Sequence, residues 1–379
     1  MSRKRGNGEG SISRRKSGGW MAQYAVYTAE GRKRKTIYGK TRAEVATKLA
    51  KALADREGGL VFDAGNLTVG EYLDRWLAEC VQGTVRESTF ERYGYAIRPH
   101  IKPSLGRVML KSLTPAHVRG FYREKLDVGL ASATVHKMHV VLHKALDQAV
   151  ADSLIPRNPT DPVTVPRINR EEINPLTAEE ANRLIEAACS AGDRLEALYV
   201  LAVHAGLRQG ELLALKWDDL DLEAGMLRVR RTLTNADGKY SMSEPKTKKS
   251  RRTVRLTSGA IAALRGHLER QVGEMERMGS LYQPEGLVFA NKVGGIINPS
   301  NLRNRSFKRV LKRAGLPEKT RFHDLRHTCA TLLLSRNVNP KIVSEMLGHA
   351  NIAITLDTYS HVLPDMQEGA ARALEEALR

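Results

Sequence analysis

Residues 155–167, IPRNPTDPVTVPR, place four prolines in thirteen positions. Each proline fixes φ and removes a backbone donor, so neither a helix interior nor a central strand passes through this stretch. The chain must build separate cores on either side of a stiff, extended join. Its 379 residues allow two or three such cores. Upstream, from Leu67 to about Ser153, apolar residues recur at helical spacing. TVGEYLDRWLAEC opens at Thr68 and aligns Val69, Tyr72, Leu73, Trp76 and Leu77. RESTFERYGYAIRPHI reads as a second helix ending near Pro99. TPAHVRGFYREKL starts with Thr114 as cap and Pro115 at the first helical position. The fourth, ASATVHKMHVVLHKALDQAVADSL, turns Val135, Met138, Leu142, Ala145 or Leu146, and Ala149 inward. His136, Lys137, His143 and Lys144 fall off that stripe. A small four-helix unit with a basic exterior follows from this pattern.

The charge is lopsided. Residues 1–57 hold 15 lysines and arginines against 5 acids, a net of +10, while the other 322 residues carry +9. Such an excess attracts polyanions, of which nucleic acid is the commonest. A disordered basic arm is one reading of this segment. Against it, Trp20, Ala22, Tyr24 and Val26 alternate, Glu30-Gly31 supplies a turn, and Ile37-Tyr38-Gly39 closes a hairpin. A helix then starts after Thr41, with Glu44 at the capping-box position. The expectation is a small three-stranded sheet plus one helix. Cys80, Cys189 and Cys329 lie far apart among apolar residues, which argues for a reducing compartment. The start lacks the apolar core of a signal peptide, and no stretch nears the ~20 apolar residues of a membrane span. A soluble, cytoplasmic protein is expected.

Beyond the join, the chain is mixed. LTAEEANRLIEAA restarts a helix with Thr177 and Glu180 in capping-box spacing, and Asn298-Pro299 opens another that Gly315 ends. MLRVRRTL and RRTVRL alternate like strands, joined by a long hairpin-like connection. Four separated stretches hold polar residues that propensity does not explain. In HAGLRQGELLAL, Arg208 lies where one helix ends at Gly206 and another begins, and Glu211 is placed to hold its guanidinium. A surface salt bridge would look the same and contribute little. In EPKTKKSRRTVRL, six basic residues occupy positions 246–255, either a solvated loop or a hairpin tip pressed on DNA. RFHDLRHT sets His323, Arg326 and His327 at the mouth of an apolar helix. In LGHANIAITLDTY, His349 follows the helix-ending Gly348, and Tyr359 comes ten residues later. Taken alone, Tyr359 reads as a packed core residue.

In their order and spacing, AGLRQGELLAL, PKTKKSRR, HDLRHTCAT and LGHANIAITLDTY resemble the boxes of the tyrosine recombinases, or phage integrase family. The likeness extends over almost the whole chain. It implies a mainly α protein with small β elements in three parts. Residues 1–57 resemble an arm-type DNA-binding domain. Residues 67–155 resemble a helical, SAM-like core-binding domain, and residues 174–379 a mixed α/β catalytic domain, with linkers at 58–66 and 156–173. The implied activity is site-specific cleavage and rejoining of DNA through a 3′-phosphotyrosyl intermediate, integrating and excising a phage or mobile element without metal, ATP or other cofactor. The implied catalytic set is Arg208, Lys246, His323, Arg326, His349 and Tyr359. Arg208, Arg326 and His349 would bind the phosphate, Tyr359 would attack it, His323 would accept the phenolic proton and Lys246 would supply the acid. Neighbouring arginines are expected to favour the phenolate. Candidate DNA contacts are Arg14, Arg15, Lys16, Arg32, Lys33, Arg34, Lys35, Lys137, Lys144, Lys248, Lys249 and Arg251. The implied partners are core and arm attachment sites in double-stranded DNA, three further copies in a homotetramer on that DNA, and an excision factor or host DNA-bending protein.

Two other readings fit part of the pattern. His323 and His327 stand four apart, as a zinc pair would, but Asp324 stands where that motif wants glutamate and Arg326 would oppose a cation. A DNA-binding regulator without catalysis fits the composition but gives no use to a tyrosine beside two arginines. The tail PDMQEGAARALEEALR sets Met366, Ala370, Leu374 and Leu378 at helical spacing, for packing either on its own domain or on a neighbouring copy.

Overall fold

Three small antiparallel sheets among many helices make up the described part of a computed structural model, which covers residues 10–28, 31–57, 66–168, 173–236, 238–244, 251–359 and 374–378. The chain divides into two compact units, Met1–Arg170 and Glu171–Arg379, and the break falls just after the proline-rich join.

In the first unit, strands β1 (Ser11–Arg14), β2 (Trp20–Thr28) and β3 (Gly31–Gly39) form a meander, with Ala22 opposite Ile12 on one side and Ile37 on the other. The helix Arg42–Glu57 covers it. Ala22, Val45 and Leu49 are the buried residues between them, with Trp20, Tyr24 and Ile37 packed around. The Thr41 hydroxyl accepts from the Glu44 amide, and the Glu44 carboxylate accepts from the Lys40 amide.

The helical part that follows has four segments around one core. Thr68 caps Val69–Trp76 and Thr114 caps Pro115–Asp127, and each side chain accepts from the third residue on. Val69, Tyr72, Leu73, Trp76 and Leu77 are at most 5% exposed, and the inward residues of Ser132–Ala151 are equally dry. The Tyr72 hydroxyl donates to the Ala145 carbonyl at 2.6 Å, tying the first segment to the last. One boundary differs from expectation. The second segment does not stop near Pro99: Glu87–Ala96 passes into a π-helical turn, Ile97–Ile101, and continues through Lys102–Leu105. The wider turn, closed by the Lys102 amide on the Ile97 carbonyl, takes Pro99 without the clash that an α-turn would impose.

In the second unit, Thr177 and Glu180 form the capping box of Ala178–Ser190. The helix Glu196–Ala205 is buried on nearly every side. Strands β4 (Leu220–Asp221), β5 (Met226–Val229) and β8 (Arg252–Arg255) form one sheet in the order β4-β5-β8. Strands β6 (Thr232–Ala236) and β7 (Lys239–Ser243) make a separate hairpin inserted between β5 and β8. The alternating run from Met226 therefore breaks at Arg230-Arg231. Buried Asp219 accepts from Arg231 at 2.7 Å and has Arg230 at 3.8 Å, which bends the chain there. Asn298 caps the helical run from Pro299 to Arg313, which also contains a π-turn, and Gly315 stands just beyond it at φ +65°. Among the described residues, no helix is long and apolar enough to cross a membrane. Of the tail, Leu374 and Leu378 are exposed, and Met366 and Ala370 lie outside the described residues.

Candidate active site

Two helix ends build the site. Glu196–Ala205 stops at Gly206, whose φ of +59° is a left-handed conformation that glycine takes without strain. Pro340–Leu347 stops the same way at Gly348, φ +68°. The helix Asp324–Ser335 packs against Glu196–Ala205 and carries Arg326 across to the Gly206 carbonyl, which accepts from Arg326 Nη1 at 2.7 Å. The Gly348 carbonyl accepts from Arg208 Nη2 at 3.2 Å. Each arginine is thus anchored on the carbonyl of a helix-ending glycine, where the helix dipole is negative.

Glu211 is the second anchor. Its carboxylate is 4% exposed and accepts from Arg208 Nη1 at 2.9 Å and from the Arg208 amide at 2.9 Å. It also accepts from Arg252 Nη1 and Nη2, at 3.1 and 2.9 Å. Burial alone would raise the Glu211 carboxyl. The hydrogen bonds and charge of Arg252, with the Arg208 amide, outweigh burial and hold it below the ordinary range. Arg252 further donates from Nε to the Met346 carbonyl at 2.5 Å. It therefore links β8, Glu211 and the helix end before His349. Sequence reasoning did not single out Arg252. Its neighbours in the basic run hide it, and only the tertiary partners mark it.

Arg326 is 3% exposed, and its Nη2 is buried with no hydrogen-bond partner among the described residues. Burial and the nearby Arg208 charge pull its pKa down to about 9, which still leaves it cationic at neutral pH. A buried guanidinium with one unpaired Nη is a ready donor to an oxyanion. His349 is half-buried and pairs through Nδ1 with Thr355 Oγ1 at 2.8 Å. Burial, then the charges of Arg326, Arg208 and Arg252, bring it down to about 4. His323 stands exposed just ahead of Asp324–Ser335. Partial desolvation, then Arg326 and Arg208, lower its pKa.

Tyr359 ends the helix Ile352–Tyr359 and is 1% exposed, packed with Ala330, Leu334, Val343 and Leu347. Burial pushes its phenol up to about 12 and Arg326 only partly opposes this, so the expected arginine-favoured phenolate is not the resting state. Its hydroxyl lies 2.8 Å from Nδ1 of His327, not of His323. Burial, then His323, lower His327 to about 4. The His323 and His327 rings meet edge to face with centroids 4.9 Å apart. The structure thus brings Arg208, Arg326, His349 and Tyr359 into one electrostatic neighbourhood with His323 at its rim, and it adds Glu211, Arg252 and His327. Lys246, Lys248 and Lys249 lie outside the described residues.

Among the described residues, no third metal-ligand side chain joins His323 and His327, as the zinc reading would need. His327 Nδ1 is committed to Tyr359. The grouping of three metal-ligand side chains found among the described residues is elsewhere, at His143, Asp147 and Asp161. There Asp147 and Asp161 pair with the two ring nitrogens of His143, at 2.9 and 3.2 Å.

The candidate DNA contacts scatter over the first unit. Arg14, Arg15 and Lys16 are exposed at the end of β1, with the Arg15 guanidinium 4.7 Å above the Tyr38 ring. Arg34 is exposed and Lys35 half-buried on β3; the side chains of Arg32 and Lys33, on the same strand, lie outside the described set. Lys137 and Lys144 are exposed on Ser132–Ala151, and Lys144 reaches the Tyr93 hydroxyl at 3.2 Å. In the second unit, Arg251 is exposed and paired with Glu244.

Residues 174–366 match the phage integrase family, and residues 68–126 match the N-terminal SAM-like domain of phage integrases. The chain is 36% identical over 362 residues to a XerC-like tyrosine recombinase of Caldanaerobacter subterraneus subsp. tengcongensis, covering 90% of this chain and 92% of that one. It is 26% identical to the ICEBs1 integrase of Bacillus subtilis, over 80% of this chain and 81% of that one. Among solved structures, a fragment of the Tn1549 transposon integrase in complex with a circular intermediate DNA aligns with a TM-score of 0.69 and 24% identity, covering 83% of this chain and all of the fragment. A lambda integrase tetramer bound to a Holliday junction aligns with a TM-score of 0.59 and 20% identity, over 94% of this chain and 96% of that one. These two likenesses bear on the fold.

Proposed function

The chain belongs to the phage integrase family, and from that membership we propose how its own residues perform the family's reaction. It is a site-specific tyrosine recombinase, an enzyme that breaks and rejoins DNA in the integration of a phage or mobile element. In the proposed reaction Tyr359 attacks the scissile phosphate. The new phosphorus–oxygen bond replaces the bond to the 5′-oxygen, giving a 3′-phosphotyrosyl ester, and a second 5′-hydroxyl later reverses the exchange. The ester keeps the energy of the broken bond.

A phosphate under attack develops charge on its non-bridging oxygens. Arg208, Arg326 and His349 supply donors to those oxygens, with His323 at the rim. Donors fixed before the reaction are usually the largest catalytic contribution, and losing one costs ~3–4 kcal/mol at comparable sites. The observation that carries the assignment is the buried, unpaired Nη2 of Arg326 beside a buried tyrosine whose pKa feels its charge. By the family pattern, Lys246 protonates the leaving 5′-oxygen.

The same reading gives the three parts their roles. Residues 1–57 hold arm-type sites through Arg14, Arg15, Lys16 and the basic edge of β3. Residues 67–155 hold the core site through the Lys137 and Lys144 face, and residues 174–379 cut it, with Lys248, Lys249 and Arg251 flanking Lys246. Strand exchange between two duplexes uses four tyrosines, so a homotetramer on DNA is the working unit. The tetramer solved for lambda integrase on a Holliday junction supports this by analogy. An excision factor or a DNA-bending host protein would set direction, in the cytoplasm where the chromosome lies.

The test is a nicked duplex that sheds a short 5′-hydroxyl strand on cleavage and so traps the ester. The wild-type protein gives a covalent protein–DNA adduct and Tyr359→Phe gives none. Reversible shifts alone from both proteins would mean a DNA-binding regulator.

A further inference from the structure

We infer that His327, one residue after Arg326, is the catalytic base that takes the phenolic proton from Tyr359. The inference deepens the reading above and rests on Tyr359 being the nucleophile. The geometry is direct. His327 Nδ1 lies 2.8 Å from the Tyr359 oxygen, within the reach a proton transfer needs. Both groups sit on packed helices, Asp324–Ser335 and Ile352–Tyr359, so the contact is held by the core rather than by a loop. His323 is exposed at the rim, and its ring packs at a right angle to that of His327.

The environment leaves the ring unprotonated and able to take a proton, at the cost of basicity. The groups that bear on the His327 ring are His323, Asp324, Arg321 and Arg326 from its own helix and the turn before it, and Tyr359 and His349 from beyond Gly348. Burial and the cationic neighbours keep the ring neutral at physiological pH, and in the tautomer that carries its proton on Nε2 the Nδ1 atom accepts from the phenol. Burial raises the phenol and lowers the imidazole, so both rest neutral and the proton passes between them as the new bond to phosphorus forms.

The step balances. The Tyr359 O–H bond breaks, its electron pair enters the new P–O bond, and the proton goes to His327 Nδ1. The bond from phosphorus to the 5′-oxygen breaks, and that oxygen takes a proton from the general acid. On rejoining, the incoming 5′-hydroxyl attacks phosphorus and gives its proton to the conjugate base of the general acid, while His327 returns its proton to the departing phenolate.

The probe is a nicked duplex made from the DNA that flanks this protein's own coding sequence, and the readout is the rate of covalent adduct formation. A general base at such a step contributes ~100-fold or more. His327→Ala should therefore lose about that factor near neutral pH. Its remaining rate should climb about tenfold per pH unit, as hydroxide replaces the base, and added imidazole should restore much of the loss. His327→Asn keeps a polar atom where Nδ1 stands but takes no proton. It should fold and bind the duplex like the wild type and be as slow as His327→Ala. Recovery of the rate by His327→Asn would show a role in holding Tyr359 only and overturn the inference. So would a His327→Ala rate that is unchanged, or one insensitive to both pH and imidazole, or imidazole rescue confined to His323→Ala. Absence of any Tyr359 adduct in the wild-type protein would instead overturn the reading beneath it.

Discussion

Glu211 holds two arginines with one carboxylate, and its position makes it a stability residue as well as an organiser. Its pKa is lowered from 4.5, so the folded state binds its proton less readily than the unfolded state does. The resulting stability is complete above pH 4.5 and is lost as pH falls through the folded value. Glu211→Gln should cost about 3 kcal/mol at neutral pH, because it removes the charge from a buried ion pair with Arg252. It should also flatten the acid limb of stability below pH 4.5, as read by urea unfolding across that range. The histidines act in a higher window. His327 and His349 sit at about 4 against an ordinary 6.5, so the unfolded chain binds more protons between those values. Their contribution is complete above pH 6.5 and falls away as pH drops towards 4. His349→Gln should show a shallower loss of urea midpoint through that window than the wild-type protein.

At the scale of elements, the site depends on how helices stop. At Gly206 a Cβ would meet Leu347 Cδ2 at 2.5 Å and Cys329 Sγ at 3.2 Å, and the backbone there is left-handed. Gly206→Ala should destabilise the second unit by about 1–3 kcal/mol. It should also slow cleavage by shifting the carbonyl that anchors Arg326, an effect separable by measuring adduct formation well below the melting transition. Much at this scale was legible in the sequence. Thr68, Thr114, Thr177 and Asn298 act locally, so their caps read directly from residues three apart. Pro99 misled because a π-turn absorbs it, and nothing in the local pattern announces that wider turn. The break at Arg230-Arg231 depends on Asp219, more than ten residues away and buried. The site shows the same division. Arg208 and Glu211 are three apart and read as a pair. His323 and His327 are four apart on one helix face, and only the placement of Ile352–Tyr359 decides which of them meets Tyr359. Arg252 draws its meaning from Glu211 and Met346, both distant in sequence.

For the molecule as a whole, the division of charge carries the main consequence. Residues 1–57 hold a net +10 of the total +19. Removing them should leave adduct formation at a core duplex nearly unchanged and reduce complete integration between two DNA molecules. Equal integration yields from the full and shortened proteins would refute the arm assignment. Binding of the full chain should also weaken more steeply with salt than that of the shortened one, because fewer phosphate contacts release fewer counterions. The glycine carbonyls that seat Arg208 and Arg326 add one thing more. Both guanidinium groups already have counter-dipoles in the protein alone, so an arriving phosphate meets two cations whose seats are set before it comes. The nucleophile is sheathed by contrast, with Tyr359 packed away in the core beside them.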